Sequence, residues 1–378
     1  MDFLTFSIHN SENDDKLFAI YLNVVISNQS INQSINQSIA TIINDMNKKD
    51  EFNKIIALAK SAEKEGNFLK AAYLYKDALD VAVQEQNSKD IVLCKRKIIY
   101  ANKNAEKDFK EIKVEKNFDT KELNDLINRT IDRNSIEEIL KYIAISPNFY
   151  PKYDDIEKIS KSSTPIFRQF ASTTTISDKG LLIKGGQDGA FSWFMEMYDL
   201  QQQIIVKICL IPIFNRLSKE KNKDKVMTAD SLINYFQNSG LFEDKELNII
   251  RVGIERYFAE DYISSMHILV PMFESSFLSI SQKLGLDIVA LQTGKEKEIS
   301  MRITTLSTKH LESDEFINKW GKDLCEQIKF VFFEPLGYRL RHKIAHGEIS
   351  QDECNLFNAT LIIYFYLVIT GRVQKITC

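Results

Sequence analysis

One apolar stripe constrains the fold of this 378-residue chain more than any other feature. Between residues 262 and 284, large apolar side chains recur every three or four positions, a spacing that places them on one face of an α-helix. Pro271 lies within the stripe, and because the spacing continues past it, we predict a helix that bends at this proline rather than one that ends there. The stripe consists of Tyr262, Met266, Leu269, Phe273, Phe277, Ile280 and Leu284.

The rest of the composition also favours helices. The chain has only 13 glycines and 6 prolines, too few for the many turns of an all-β protein. Its 44% hydrophobic and 27% charged residues are typical of a soluble globular protein. The net charge of −3 excludes a histone-like protein that coats nucleic acid by bulk charge, but it leaves room for a local basic site. We therefore predict a mostly α protein.

Cysteine usage and the apolar runs indicate a cytoplasmic location. The five cysteines are scattered and form no C-x-x-C pair, which argues against a disulfide framework and a four-cysteine zinc site. The apolar run at residues 17–26 follows an acidic segment, whereas a signal peptide needs a positive one. The runs at 204–214 and 361–370 are about half the ~20 residues of a membrane helix, so we expect buried core there and no membrane contact.

The N-terminus contains a repeat. Residues 28–39 read Asn-Gln-Ser-Ile three times, and a four-residue period fits neither a strand nor a long helix. One hypothesis is a slippage-prone four-base repeat in the coding DNA that switches expression on and off, and the other is a plain polar linker. In both cases residues 1–45 form a poorly structured segment outside the packed core.

Residues 46–145 predict a helical N-terminal region. Two helices should span residues 51–86 with a break at Gly66-Asn67, and a third should follow at about 90–110. The small and aromatic positions of the first pair resemble one tetratricopeptide unit, in which alanines let two antiparallel helices approach closely. A protein partner could bind these helices. Residues 123–144 predict one further helix.

Residues 146–225 predict a mixed connecting region with a small β-hairpin. A short strand is expected at 176–184. The glycine-rich segment 185–189 invites comparison with a phosphate-binding loop, but it lacks the G-K-S/T ending, so we interpret it as a simple turn. A core-like helix is expected at 200–214. The charged run at 219–225 predicts a solvated connector and a boundary before the last domain, residues 226–378.

Three further helices are predicted in the C-terminal domain. One should start near residue 246 and continue past Tyr262, and a second should span 312–333 and stop at a Glu-Pro-Leu-Gly segment. Ser350 and Glu353 form a capping-box pattern that predicts the start of the last helix. This helix is so rich in aromatic and β-branched residues at 361–370 that we expect it to form part of a homodimer interface.

A cluster of cations and histidines lies between the last two of these helices. Three cations, Arg339, Arg341 and Lys343, share one short segment with His342 and His346. A metal site is one interpretation, because the two histidines are four residues apart. The catalytic glutamate of an H-E-x-x-H motif is missing, however, so we expect no metal. A solvated basic turn is a second interpretation.

A phosphate-cleaving site is the third interpretation. The planar guanidinium of an arginine matches two phosphate oxygens, and a histidine can exchange a proton near neutral pH. RNA brings its own nucleophile, the 2′-hydroxyl, so no metal is required. On a regular helix Arg341 and His346 would point about 140° apart. The segment must therefore break, or a second chain must complete the site.

The segment Arg341-His342-Lys343-Ile344-Ala345-His346-Gly347 resembles the R-polar-x-x-x-H signature of HEPN domains. It is especially similar to the C-terminal HEPN domain of a bacterial family catalogued as a domain of unknown function, in which an earlier helix resembles His267-Ile268-Leu269-Val270-Pro271-Met272-Phe273-Glu274. The resemblance covers about residues 226–370. His342 stands where relatives often have Asn or Asp.

The resemblance implies an up-and-down helical bundle that dimerises through its motif helices and, in active members, cleaves RNA without a metal or cofactor. Arg341 and His346 would then be catalytic, with His342 assisting. Arg339 and Lys343 would bind flanking RNA phosphates, and Glu274 and His267 would support the site. Such domains resemble toxins and phage-defence effectors. The alternatives are a non-catalytic module that binds RNA or a nucleotide, and a helical protein–protein adaptor.

Overall fold

The structure, a computed structural model, describes residues 48–105, 107, 121–164, 172–176, 180–293 and 299–377. These residues form a mostly α protein, as predicted. The chain divides into two compact units, Met1–Ile112 with Ile176–Leu182 and Lys113–Thr175 with Ile183–Cys378. The predicted poorly structured segment, with its repeat, lies outside the described residues.

The first unit contains the predicted helical hairpin. Helix α1 spans residues 48–64, α2 spans Phe68–Gln84 and α3 spans Ser88–Ala105. The predicted break is confirmed: Gly66 adopts φ +75, and the Asn67 side chain accepts a hydrogen bond from the Lys70 amide at 3.2 Å. Small residues let the helices pack closely, and the buried alanines are Ala59, Ala62, Ala71, Ala72, Ala78, Ala82, Ala101 and Ala105.

The second unit begins with two helices where we expected one. Helix α4 spans Lys121–Ile131 and α5 spans Ile136–Ile145, so the single helix predicted at 123–144 is wrong. Ser135 separates them because its hydroxyl accepts a hydrogen bond from the Glu138 amide and caps α5. A 3₁₀ turn at Pro147–Phe149 and helix α6 at Tyr153–Ser163 follow.

A two-stranded sheet occupies the middle of the chain. Strand β1 is Ser172–Ile176 and β2 is Leu182–Asp188. The predicted small hairpin is confirmed, but the predicted strand at 176–184 is wrong because it spans the connection between the strands, where Gly180 adopts φ +75. The turn expected at 185–189 is also wrong, because residues 185–188 continue β2, which leads directly into the next helix.

That next helix changes its geometry along its length. Helix α7 spans Gly189–Gln203, continues as a π-helical stretch at Ile204–Leu210, and continues again as α8 at Ile211–Ser218. The core-like helix predicted at 200–214 is therefore confirmed, with a π stretch of the kind often found near functional sites. The charged run after it is an exposed turn inside the second unit, so the boundary expected there does not coincide with the division between the two units.

The apolar stripe forms a buried helix, as predicted. Helix α9 spans Ala229–Asn238, α10 spans Asp244–Phe258 and α11 spans Tyr262–Lys283. Helix α11 continues through Pro271 and buries the central stripe residues. The helix that we expected to run past Tyr262 ends at Phe258, because Glu260 adopts φ +60 and Asp261 caps the next helix.

A hairpin and three short helices follow α11. Strands β3, Val289–Thr293, and β4, Ile299–Ile303, pair antiparallel. The single helix expected at 312–333 is wrong, because Gly321, with φ +84, divides it into two helices. The segments are α12 at Thr308–Leu311, α13 at Asp314–Trp320 and α14 at Lys322–Phe332. Helix α15, Leu340–Ala345, carries the cation and histidine cluster, and α16, Leu356–Thr377, ends the chain.

Helix α16 lies at the centre of the second unit. Every residue from Ala359 to Gly371 is buried within the same chain. Tyr366 donates a hydrogen bond to the Leu269 carbonyl of α11 at 2.9 Å, and Thr360 meets the Tyr257 hydroxyl at 2.9 Å. Among the described residues, α11 and α16 are long and apolar enough to cross a membrane, by length and composition only; half of the apolar window of α11 and 83% of that of α16 are buried inside the protein.

Candidate functional site

The cluster at 339–346 is held in place by a close backbone contact. A Cβ atom on Gly337 would lie 2.0 Å from the Phe330 carbonyl oxygen, so only glycine fits this position without a shift. The same carbonyl accepts a hydrogen bond from the Tyr338 amide at 3.2 Å. The loop that leads into α15 is therefore anchored to the end of α14.

Tyr338 anchors the loop a second time. Its hydroxyl donates a hydrogen bond to the Asp199 carboxylate at 2.6 Å, and burial, followed by the charge and hydrogen bond of Asp199, raises the pKa of Tyr338 well above its usual range. Asp199 also accepts from Gln203 at 2.6 Å, and Gln203 accepts from Lys207 at 2.8 Å. This polar chain connects the loop to α7 and to its π-helical continuation.

Arg339 precedes α15 in a strained conformation. It adopts φ +53 and ψ +30, the left-handed region that costs a non-glycine residue about 1–2 kcal/mol. Leu340, the first residue of the helix, is buried and fixes the helix against the core. The Arg339 guanidinium forms no hydrogen bond or ion pair with any described residue, so it is available to a ligand.

The short helix ends where the histidine motif ends. His346 is the C-cap, and Gly347 adopts φ +64. The Gly347 amide donates to the Ile344 carbonyl at 3.3 Å and the Glu348 amide to the Lys343 carbonyl at 2.7 Å, the two bonds of a Schellman motif. The glycine of the motif therefore stops the helix and leaves His346 exposed at its end.

Arg341 forms an ion pair with Glu274 of α11. The Arg341 Nε atom donates to Glu274 Oε2 at 2.9 Å, and the side chains are only 28% and 16% exposed. The second carboxylate oxygen, Oε1, accepts from the Leu306 amide at 3.0 Å. The carboxylate thus connects α11, α15 and the segment after β4. The terminal nitrogens of Arg341 donate no hydrogen bond to a described residue.

His342 and His346 face each other one helical turn apart. Their ring centroids are 4.4 Å apart with the planes at 45°, and His342 Nε2 lies 3.6 Å from the Glu348 carboxylate. Burial lowers the pKa of His342, and the neighbouring Arg339 and His346 lower it further, while the Glu348 carboxylate opposes them. His342 is therefore neutral near neutral pH.

Lys343 forms an ion pair with Glu353. Burial of the Glu353 carboxyl would raise its pKa, but hydrogen bonds from Lys343 and Ser350 outweigh this effect and lower it. Ser350 and Glu353 make the reciprocal hydrogen bonds that the capping-box pattern predicted, at 3.4 and 2.9 Å. They close a turn at 350–353, however, whereas the last helix begins at Leu356.

The structure separates the seven candidate site residues into groups. Arg341 contacts Glu274, the two motif histidines contact each other, and Arg339 and Lys343 flank them. His267 is exposed, and its Nδ1 donates to the Ile263 carbonyl of its own helix at 2.8 Å, with no hydrogen bond to the 339–346 segment. Among the described residues, no group of three His, Cys, Asp or Glu side chains is arranged to hold a metal ion.

Three contributors were missed by sequence reasoning. Asp199 binds Tyr338 across 139 positions, and the Leu306 amide binds Glu274 across 32, so neither contact leaves a local pattern. Glu353 was recognised only as a capping residue, although it also neutralises Lys343. Only the Lys343–Glu353 pair, which is ten residues apart in the chain, could have been suspected from the sequence.

Comparison with known proteins adds no identification. No protein-family model, no curated protein and no solved structure matches this chain. The resemblance to HEPN domains therefore rests on the motif residues alone.

Proposed function

We propose that this protein is a HEPN-type endoribonuclease that cleaves RNA without a metal ion. The observation that carries the proposal is the Glu274–Arg341 contact. Glu274 binds Arg341 through Nε, which fixes the guanidinium plane and leaves the Nη1 and Nη2 groups for two phosphate oxygens. A partly buried arginine that is held by one edge is suited to bind a phosphate in a defined orientation.

The exposed histidine supplies the proton transfer. His346 takes the proton of the 2′-hydroxyl as that oxygen attacks the adjacent phosphorus atom, and it returns a proton to the 5′-oxygen as the phosphorus–O5′ bond breaks. The products are a 2′,3′-cyclic phosphate and a free 5′-hydroxyl. Neutral His342 lies beside the His346 ring and orients it. Arg339, whose guanidinium is unpaired among the described residues, binds a flanking phosphate.

The biological setting that we propose is a toxin or a phage-defence effector acting on cellular RNA in the cytoplasm. Lys343 is neutralised by Glu353, so it contributes less to RNA binding than Arg339 does. The protein partner proposed for the N-terminal helices is a separate expectation that the site does not require.

The test is cleavage of total RNA by the purified protein in the presence of EDTA. We expect products that end in 2′,3′-cyclic phosphate, with loss of cleavage in the Arg341→Ala and His346→Ala variants. Arg129→Ala, which removes an exposed arginine of α4, is the matched control and should cleave normally. Cleavage that disappears on chelation would contradict the metal-free mechanism.

Two other outcomes correspond to the alternative functions. Binding without turnover, weakened by Arg341→Ala, would indicate a non-catalytic RNA-binding module. Neither binding nor cleavage, together with a cellular phenotype that survives both site variants, would indicate an adaptor protein.

A further inference from the structure

A small aromatic cavity lies in the second unit between α6, α7 and α14. Neighbouring rings form its wall: the centroids of Tyr153 and Phe194 are 5.1 Å apart, and those of Tyr198 and Phe330 are 4.9 Å apart. The ring of Phe191, which is 39% exposed, lies on the solvent side. The cavity encloses about 60 Å³. Because a cavity of ~150 Å³ is needed to hold benzene, this one is too small for a nucleobase.

The Tyr198 hydroxyl, in the wall of this cavity, is a buried polar group without a partner. Tyr198 is 2% exposed, and its hydroxyl forms no hydrogen bond with any described residue. Burial, followed by the charges of Glu326 and Asp323, raises the pKa of Tyr198 well above its usual range, so the hydroxyl stays neutral. A buried polar group that lacks a partner is unfavourable and calls for an explanation. A ligand that donates a hydrogen bond inside the cavity would supply the missing partner.

The charges around the cavity favour a cation. Two carboxylates, Glu326 and Glu334, line it. Lys329 is the one cation among the described lining residues, and its ammonium is shared between Glu326 at 3.0 Å and Glu312 at 3.1 Å. Three carboxylates therefore surround a single ammonium, and the local charge is negative. Aromatic faces attract cations as well, so the walls and the charges select the same kind of ligand.

We propose that this cavity binds the ammonium group of a linear alkylamine. The ammonium donates one hydrogen bond to the Tyr198 oxygen and others to the carboxylates, while the rings surround its first methylene groups and the rest of the chain leaves on the solvent side. The protein makes a similar contact itself, because the Lys322 Nζ atom lies 4.3 Å from the centre of the Tyr153 ring. A quaternary ammonium ion has no N–H group and would leave the Tyr198 hydroxyl unpaired.

The cavity borders both anchors of the loop that leads into α15. Phe330, whose ring lines the cavity, accepts the Tyr338 amide through its carbonyl at 3.2 Å. Tyr198 directly precedes Asp199, which accepts from the Tyr338 hydroxyl at 2.6 Å. An amine that fixes Tyr198 and Phe330 therefore stabilises the loop and should increase RNA cleavage. This effect rests on the proposed ribonuclease function, whereas the binding of the amine does not.

Binding is measured by calorimetric titration of the full chain with butane-1,4-diamine and, at the same ionic strength, with tetramethylammonium. We expect a dissociation constant in the millimolar range or lower for the diamine and at least tenfold weaker binding of tetramethylammonium. Glu326→Gln should weaken diamine binding at least tenfold. Glu312→Gln is the matched control, because it removes the other carboxylate that holds Lys329 but does not line the cavity.

Tyr198→Phe tests the hydroxyl. It should weaken diamine binding about tenfold, the loss expected for one charge-assisted hydrogen bond. It should not lower the urea unfolding midpoint, because the hydroxyl that it removes has no partner among the described residues. An unchanged midpoint also shows that the variant folds.

Four results would overturn the amine site. They are no diamine binding at millimolar concentrations, equal binding of tetramethylammonium, equal losses in Glu326→Gln and Glu312→Gln, and a lowered unfolding midpoint in Tyr198→Phe. Diamine binding by a protein that cleaves no RNA would support the amine site and contradict the ribonuclease.

The effect on cleavage has its own control. Amines also bind RNA directly, so the comparison is between the wild type and Tyr198→Phe on the same RNA. Diamine should increase cleavage at least twofold in the wild type and not in the variant. An equal response of both proteins would overturn the link between the cavity and the loop.

Discussion

The Glu274–Arg341 ion pair offers the sharpest test of the site's geometry. Glu274→Gln keeps an amide oxygen that can accept from the Leu306 amide but removes the negative charge beside Arg341. Glu274→Ala removes both interactions. Arg341→Ala leaves a carboxylate that is only 16% exposed without its cation. These three single variants and the double variant Glu274→Gln/Arg341→Ala separate the two functions of the Glu274 carboxylate. It holds Arg341, and it accepts a hydrogen bond from the Leu306 amide.

The expected changes in the free energy of unfolding follow from the burial of Glu274 and from the number of hydrogen bonds that each variant loses. A charge-assisted hydrogen bond contributes about 1.5–3 kcal/mol to stability, so Glu274→Gln should lower the free energy of unfolding by about 1.5 kcal/mol. Glu274→Ala should lower it by about 3 kcal/mol, because the amide of Leu306 also loses its acceptor. The coupling free energy between Glu274→Gln and Arg341→Ala should be about 1–2 kcal/mol.

Tryptophan fluorescence during urea unfolding is a suitable assay. The chain has two tryptophans, Trp193 and Trp320, and both belong to the second unit, as do residues 274 and 341. The signal therefore reports the unit that contains the site and not the N-terminal helices. Additive effects within about 0.3 kcal/mol would refute the ion pair, and equal losses for Gln and Ala would refute the role of the Leu306 amide.

Four further predictions concern the motif loop. The lowered pKa of His342 means that the folded protein takes up this proton at a lower pH than the unfolded chain does. The free energy of unfolding should therefore fall as the pH is lowered below 6.5. Urea titrations at pH 7 and pH 5 should show a smaller loss in the His342→Asn variant than in the wild type. His342→Asn should also keep most RNA cleavage while His346→Asn loses about 10²-fold or more, and comparable loss in both would show that the two imidazoles act as an acid–base pair. Gly337→Ala should lower the free energy of unfolding by about 2–3 kcal/mol, because its Cβ meets the Phe330 carbonyl; an unchanged unfolding midpoint would contradict that contact. Arg339→Gly should raise stability by about 1 kcal/mol by relieving the left-handed conformation, yet weaken RNA binding at low salt; lower stability would contradict the strain argument.

Local patterns in the sequence predicted local structure well. The break at Gly66-Asn67, the buried stripe of α11 and its passage through Pro271 all depend on residues within a few turns of one another. Errors occurred where a single residue divided a predicted helix into two. Ser135 caps a helix, and Gly321 ends one, inside segments whose apolar spacing continues on both sides, so periodicity alone did not show either break.

The composition of α16 was misleading for a different reason. Its aromatic and β-branched residues suggested a dimer interface, but the helix is surrounded by its own chain and its apolar content is explained by burial there. Sequence composition shows that a helix is buried, not which chain buries it. The homodimer through the C-terminal bundle stays a prediction.

The sequence alone located the candidate site, but it did not show which of the site residues contact one another. The motif identified Arg341, His342 and His346, and the earlier helix identified Glu274. That Glu274 holds Arg341 depends on a contact across 67 positions, which only the packing of α11 against α15 produces. The neutralisation of Lys343 by Glu353 likewise depends on the turn that follows the helix.

The most direct measurement of the central claim uses one modified substrate. Once a cleavage position has been mapped, an oligonucleotide is prepared with a single 2′-deoxynucleotide on the 5′ side of the scissile phosphate and is incubated with the protein in EDTA. We predict that cleavage at that position is abolished while the all-RNA oligonucleotide is cut, because the attacking 2′-hydroxyl is missing. Cleavage of both substrates at the same rate would contradict it, since the nucleophile would then be water.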